Sequence, residues 1–595
     1  MIMFKKLLQT ADASDRKKLS ILFLIVLISS LLELVGLSLV IPFVNLMMSE
    51  KYVSDYINTF PSLKLMLSMS GNYRLDAAIW FIAFYFVKNS LLGFLSLGMH
   101  TIQKNLHAKY INRLFYGAMN VPYLDYTKKN SSDTFRLLTY DATNFGECIF
   151  FHSTILLAEL FIFAGVILVL AIQHLEALLV ILFIAFLLVG IFTLLKKRLI
   201  VWGSVMQRRE ETVLKNIQEG IGAYKDIIVL GVRDYFLNKF NRNIIVRSRM
   251  KRNRDVGVLI PRFLIETLIM FLMSIMMLWI SETGGLEKNF PFLAFLAIVI
   301  VRMLPMSNRI MNSFSAIKSH VPSINAVFTR LENEFQQEQL GAAKKSAKYF
   351  PKFKSIELKK VFFQHANHSH LLRDISFKVN QGEVIGIVGK SGAGKSTLVD
   401  IMLGLLIPKS GSVLYNGTTD LQLDLESWRR QIGYVQQNIF LVDGTIRENI
   451  AFGIDTSEIN DESVLNAVRL SKLEDWVKFL PNGLDTNVGE RGIAISGGQR
   501  QRIGIARALY HDPEILFFDE ATSALDNQTE KKLMEDVYSM RDKRTIVLIA
   551  HRMSTIRECD KIILLDNGVV AAIGTYKTLL SENKIFQALS MKSSD

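Results

Sequence analysis

The sequence predicts two architectures in one chain: a membrane all-α domain of six transmembrane helices with long cytoplasmic extensions, then an α/β domain built around a glycine loop. Three observations predict this. Hydrophobic residues make up 50% of the 595 and mean hydropathy is +0.26, which is high for a soluble chain of this size. Apolar runs long enough to cross a bilayer, for which about 20 residues suffice, recur up to residue 310 and not beyond it. From Phe350 onward short apolar runs alternate with stretches of helical spacing, an α/β pattern.

The spanning stretches are 19–48, 75–99, 149–172, 176–195, 258–280 and 290–310. Lys5, Lys6, Arg16, Lys17 and Lys18 precede the first, and no small-residue cleavage site follows it. It therefore reads as an uncleaved first span, too long for a signal-peptide core. Gln173-His174-Leu175 alone separates the third and fourth, which predicts a tight hairpin. The segment between the fourth and fifth spans is dense in Lys and Arg, from Lys196 to Arg254, whereas the loop after the fifth offers only Lys288. An excess of basic residues marks the cytoplasmic side. The N-terminus, residues 100–148 and residues 196–257 are accordingly placed inside.

Both inner segments read as helices continuing beyond the bilayer, each broken once, near 126–133 and near 219–226. The external segment 51–74 has a short apolar face and reads as an amphipathic helix, lying in the outer interface or packed on the protein. The domain boundaries expected are 1–325 for the membrane domain, 326–349 for a polar, charged linker and 350–595 for the α/β domain.

Charge and cysteine content narrow the classes further. Lys and Arg number 69 against 55 Asp and Glu, a net charge of +14. On a soluble chain that balance would suggest nucleic acid; beside six spans it points to basic cytoplasmic loops and no nucleic-acid partner. Cys148 and Cys559 stand far apart with no other ligand type close by, so neither a disulfide framework nor a zinc site is expected.

The α/β domain is organised around Gly389, Lys390, Ser391, Gly392, Ala393, Gly394, Lys395, Ser396 and Thr397. The apolar run 384–388 reads as a buried strand before this loop, and 398–405 has helical spacing after it. Strand, glycine loop, then helix is the setting that a phosphate-binding loop requires. The glycines let backbone N–H groups turn inward on a phosphate chain, and the helix start adds its positive end. Lys395 would reach the β- and γ-phosphates and the Ser396 hydroxyl would hold Mg²⁺. A Gly/Ser-rich turn arising by chance is the plain alternative, and the strand–loop–helix setting disfavours it.

Downstream, Ile515-Leu516-Phe517-Phe518-Asp519-Glu520 is an apolar strand ending in two acids. Asp519 suits Mg²⁺ and Glu520 suits polarising an attacking water. The strand 546–550 ends in His551, which could sense the γ-phosphate or be a plain strand-end histidine. Ser496-Gly497-Gly498-Gln499 opens another helix, a second anion-binding N-terminus. One nucleotide can use both anion sites only if two domains pair head to tail.

With those residues in place, the segment 350–590 resembles the P-loop ABC ATPase domain of ABC transporters. The resemblance implies ATP and Mg²⁺ as cofactors, with Gly389–Thr397 as the Walker A loop. Gln437 is similar to the Q-loop glutamine, a metal contact with a part in catalysis. Ser496, Gly497, Gly498 and Gln499 correspond to the signature. Asp519 and Glu520 correspond to Walker B and the catalytic glutamate, Asp526 in Ser523–Asp526 to the D-loop, and His551 to the switch histidine. The signature's usual leucine is Ile495, and His365 takes the place of the aromatic that stacks on adenine, where tyrosine is commoner. One of each part per chain implies a half-transporter that works as a homodimer with two equivalent sites. The inner turns resemble the coupling helices of exporters.

What is moved must be read from the spans. Lys88, Arg262, Arg302 and Arg309 are basic residues on apolar runs, costly there unless they face a polar cavity. Snorkelling to the interface and pairing with Glu33, Glu159 or Glu266 are the alternatives. Two copies of a basic cavity would suit a phosphate or diphosphate head group. The stretches 261–266 and 301–310 resemble spans of bacterial lipid-linked oligosaccharide flippases. That resemblance implies a polyprenyl-diphosphate glycan as substrate, flipped outward across the bacterial cytoplasmic membrane for protein glycosylation or O-antigen assembly. A lipid A or phospholipid flippase and a multidrug exporter are the competing readings, with a soluble ATPase on nucleic acid disfavoured by the spans.

Overall fold

The computed structural model describes residues 2–48, 70, 72–128, 130–173, 175–282, 305–342, 352–364, 371–423, 425–519, 527–541, 543–550 and 552–592. The chain divides into two compact units, one of Met1–Val121 with Asp125–Leu340, the other of Pro122–Leu124 with Gly341–Asp595.

The first unit is helical. Helix α1 (Ile2–Thr10) leads to α2 (Ala13–Ser38), whose start Asp12 caps by accepting from the Asp15 amide at 2.8 Å. Lys109 then closes on both Asp12 and Asp15 at 2.6 Å, pinning that start to α4 (Tyr73–Met119). Between them α3 (Val40–Met48) continues the first apolar run. Among the described residues, three helices are long and apolar enough to cross a membrane: Ala13–Met47, Tyr73–Met119 and Ser131–Leu168. They carry the first three expected spans. The fourth and fifth fall on α7 (Leu175–Gly222), which follows α6 (Ser153–Gln173), and on α9 (Arg233–Glu282). Residues 290–304 of the sixth lie outside the described residues, as does 51–69 of the external segment; 305–319 are helical.

Helices α4, α7 and α9 hold 47, 48 and 50 residues. At 1.5 Å per residue each runs about 70 Å, more than twice a bilayer core of about 30 Å. The helices do extend past any bilayer. Their breaks also fall near where the sequence places them. Helix α5 (Tyr123–Thr127) interrupts the first, and the chain resumes at Ser131 under an Asn130 cap. Helix α8 (Tyr224–Val229) interrupts the second, and Gly231 at φ +66 turns the chain into α9.

Several inner basic residues are paired with acids within this unit. Arg247 meets Glu210 at 2.7 Å and Lys239 meets Glu219 at 2.6 Å, holding α7 to α9. Arg136 binds the fully buried Asp141 at 3.1 Å and Glu211 at 2.5 Å.

The second unit carries two sheets. Strands β1 (Ser355–Phe363), β2 (Leu372–Asn380), β4 (Ser410–Tyr415) and β5 (Thr419–Asp420) form an antiparallel sheet in the order β2-β1-β4-β5. The other follows the order β10-β9-β3-β8-β7-β6. Its strands are β3 (Val384–Gly389), β6 (Ile432–Val435), β7 (Ile515–Asp519), β8 (Thr545–Ile549), β9 (Lys561–Asp566) and β10 (Val569–Gly574). All are parallel except the β9–β10 pair.

Val384 through Val388 are all buried, the near-continuous apolar run of a strand covered on both faces. Successive side chains serve opposite faces. Val384, Val388, Leu516, Phe518, Ile546 and Leu548 enter one core cluster. Ile385, Ile387, Ile515, Phe517, Val547 and Ile549 enter the other.

Candidate functional site

Strand β3 delivers the chain to the glycine loop, and helix α11 (Lys395–Met402) takes it away. Gly392 at φ +80 and Gly394 at φ +98 occupy backbone that L side chains rarely adopt. A Cβ on Gly394 would stand 2.8 Å from Leu372 Cδ2, so that side chain would have to shift as well. A Cβ on Gly392 would meet nothing within 4 Å, and only the backbone angle requires it. Gly394 caps α11 with no side-chain bond, and a helix start of this kind favours an incoming anion. Lys395 is 6% exposed. Its Nζ donates to the carbonyls of Gly389 at 2.9 Å and Lys390 at 3.2 Å, so the loop wraps its own ammonium. Lys390, Ser391 and Ser396 are exposed and Thr397 is half-buried.

Sheet register brings the acid to the same edge. Ile387 pairs with Ile549, and Ile549 pairs with Asp519, so Asp519 lies two strands from β3, about 10 Å at the usual strand spacing. Strand β6 is next, and its Tyr434 donates from the phenol to Asp519 Oδ2 at 3.2 Å. Gln437 is exposed just past the end of β6. Loop, Asp519 and Gln437 thus collect at the carboxyl ends of parallel strands, where open α/β sheets take their ligands.

Asp400, on α11, belongs to the same neighbourhood. Burial and then the Asp519 carboxylate push its carboxyl up to about 6. Burial, Asp519 and Asp400 likewise raise the Tyr434 phenol. Leu124 packs against the core on this side of the sheet, and burial with Asp400 and Asp519 raises the phenol of Tyr123.

These residues fit a magnesium nucleotide. Asp519, Ser396 and Gln437 offer only oxygen ligands of the kind a hard cation takes, and a divalent cation would relieve the charge by which Asp519 raises the proton affinity of Asp400. Among the described residues, no group of three His, Cys, Asp or Glu could hold a metal by itself. A magnesium here would need phosphate oxygens to complete its shell, as this ion usually does.

The second anion site stands apart. Helix α12 (Gly497–Leu509) opens on Ser496, whose Oγ accepts from the Gln499 amide at 3.3 Å while Gln499 Oε1 accepts from the Ser496 amide at 2.8 Å. This reciprocal capping box fixes the turn and leaves Ser496 and Gly497 exposed. Gly498 and Gln499 are half-buried, and Ile495 packs against the core through its apolar side chain. Helix α12 buries Ile503, Ile505 and Leu509 in one core cluster. Helix α11 buries Leu398, Val399 and Met402 in the other. The two anion sites of one chain therefore rise from opposite faces of the same sheet.

His365, Glu520, Asp526 and His551 lie outside the described residues, as does Arg302; Arg262 is on α9, with its side chain outside them. The two remaining basic residues of the spans are ion-paired within the chain, the alternative that the sequence leaves open. Lys88, 6% exposed, meets Glu33 at 3.4 Å with its Nζ 4.6 Å over the Tyr85 ring. Arg309 pairs with Glu159, itself 5% exposed. Sequence reasoning assigned no role to Tyr434 or Asp400. A signal existed for Asp400, the one acid in the otherwise apolar stretch 398–405.

Residues 372–523 match the family described as ABC transporter. The second unit is an ABC transporter ATPase domain. Over 536 residues, 89% of this chain and 90% of the relative, the chain is 28% identical to the ATP-dependent lipid A-core flippase of Idiomarina loihiensis. It is 31% identical over 395 residues to the flippase of the same description from Francisella tularensis subsp. holarctica, covering 65% of this chain and 62% of that one. The structure of a bacterial Atm1-family ABC exporter with ATP bound aligns with a TM-score of 0.77 at 20% identity, over 98% of this chain and 99% of that one. That likeness shows the exporter fold, a helical transmembrane domain followed by an α/β ATPase domain. The ATPase domain binds ATP and couples its hydrolysis to transport.

Proposed function

We propose that two copies of this chain form an ATP-driven flippase that moves a polyprenyl-diphosphate oligosaccharide outward across the bacterial cytoplasmic membrane. The observation that carries the dimer is the placement of α11 and α12 on opposite sheet faces. A nucleotide cradled by Gly389–Thr397 cannot also touch Ser496–Gln499 of the same chain; it can touch those of a second copy. Bound magnesium would be held by Ser396, Asp519 and Gln437 and would neutralise phosphate charge. Lys395 would hold the terminal phosphates, Glu520 would orient the attacking water, and Asp526 and His551 would complete the site. His365 would stack on adenine.

Closure of the paired domains would reach the spans through the inner turns. Residues Pro122–Leu124 cluster with the ATPase unit, which supports that reading for the first of them. The substrate rests on Arg262 and Arg302 in the stretches that resemble oligosaccharide flippases, with one set from each copy around a diphosphate. Lys88 and Arg309, already matched by acids, support the spans more than the head group.

A second reading is favoured by the relatives, which are described as lipid A-core flippases: a phosphorylated glycolipid of that kind. The test is ATP-dependent flipping in proteoliposomes with each lipid offered separately. Flipping of the polyprenyl-diphosphate glycan, lost in Arg262→Ala/Arg302→Ala while basal ATPase persists, is the expected result. Flipping of lipid A alone would replace this reading with the second.

A further inference from the structure

We propose that the membrane unit holds an anionic phospholipid of the cytoplasmic leaflet in a cleft between α1, α2, α6, the helical residues 305–319 and α10 (Val321–Ala342). The cleft has a volume of about 880 Å³. Leu22 and Phe328 in its wall are 6% and 0% exposed, whereas Phe23 and Leu157 at its lip are 49% and 39% exposed. A hollow of this size with apolar walls and an apolar open lip suits a hydrocarbon chain rather than a polar ligand.

Two lysines line the same cleft. Lys6 is matched by Glu332 at 3.0 Å. Lys318 is half-buried and, among the described residues, forms no ion pair; its Nζ lies 5.5 Å from the Phe314 ring. Burial, then the charge of Lys196, holds the Lys318 ammonium below its ordinary proton affinity, as expected for a cation without a counter-charge. A phosphodiester at the rim supplies that charge while its acyl chain covers Leu22 and Phe328. A zwitterionic lipid brings its own cation and leaves Lys318 unmatched. This site is independent of which lipid is transported.

The test uses the purified full-length protein in nanodiscs of phosphatidylcholine doped with phosphatidylglycerol that carries a photoreactive acyl chain. Adducts are expected on peptides containing Leu22 and Phe328. Labelling falls about fivefold in Lys318→Ala, from the roughly 1 kcal/mol that one basic side chain contributes toward an anionic lipid, and is retained in Lys318→Arg. Leu22→Trp fills the hollow and excludes the chain, with its melting temperature checking the fold. Equal labelling by a phosphatidylcholine probe, or labelling unchanged in Lys318→Ala, overturns the proposal. A photoreactive residue at position 157 should capture lipid; capture of a second copy instead would make the cleft a contact between chains and end the proposal. Displacement of the phosphatidylglycerol probe by polyprenyl diphosphate would assign the cleft to the transported substrate and end it equally.

Discussion

Replacing Tyr434 by Phe removes one hydroxyl and leaves the ring that packs against the core. The lost bond runs from the phenol to Asp519 Oδ2 at 3.2 Å. Hydrogen bonds to charged acceptors contribute about 1.5–3 kcal/mol. At 3.2 Å this one is long for a hydroxyl on a carboxylate, so the lower figure applies. About 1.5 kcal/mol corresponds to roughly tenfold in an equilibrium constant, within the range seen when a metal ligand loses its supporting bond. The expected outcome is a tenfold rise in the Mg²⁺ concentration giving half-maximal ATPase, with the maximal rate restored at high Mg²⁺. Metal-free binding of a fluorescent ATP analogue should stay unchanged, because the proposed role of Asp519 is to hold the ion and not the nucleotide. The assay is a Mg²⁺ titration of ATPase in detergent at saturating ATP. An unchanged half-saturation, or a loss of rate that Mg²⁺ cannot restore, would refute the role given to Tyr434 and to Asp519 as a ligand.

Three further outcomes follow from the same geometry. The carboxyl of Asp400, raised to about 6, keeps in the folded chain a proton that the unfolded chain has released, so stability falls as pH rises from about 4 to about 6. Asp400→Asn should therefore raise the melting temperature of the nucleotide-free protein at pH 7 by the equivalent of about 1–2 kcal/mol, discounted for partial exposure, and the gain should vanish near pH 4. Arg309→Ala strands the buried Glu159 and should lower stability by about 2 kcal/mol; combining it with Glu159→Gln should recover most of that in a thermal melt, which loss of a substrate contact would not do. Glu520→Gln should retain ATP binding and lose nearly all hydrolysis in a phosphate-release assay, and retained turnover would remove Glu520 from the role.

Legibility in the sequence followed how local the governing physics is. The loop 389–397 and its flanking strand and helix were readable because glycine geometry, strand burial and helix spacing all act within a few residues. Long inner helices were readable because basic residues recur from Lys196 onward without dense Pro or Gly breaks. The Tyr434–Asp519 bond was not, since it depends on β6 and β7 lying side by side, a pairing between segments some 80 residues apart in chain order. The partners of Lys88 and Arg309 were legible only as alternatives: Glu33 and Glu159 were the right residue types, and the packing of α2 on α4 and of α6 on residues 305–319 selected them. The division of α11 and α12 between sheet faces could not be read from either motif, because it follows the parity of buried residues along β3, β7 and β8.

The central claim is that each nucleotide lies between the glycine loop of one copy and the Ser496 turn of the other. Ser391→Cys with Gly497→Cys tests it, both positions being exposed and a Cβ on Gly497 meeting nothing within 4 Å. The native cysteines are buried, and burial pushes the Cys559 thiol up to about 12, so neither competes for a thiol reagent. Treatment with a short bis-thiol crosslinker should give a covalent dimer with Mg-ATP and little without nucleotide. A crosslink within one chain, or no dimer at saturating Mg-ATP, would contradict the account.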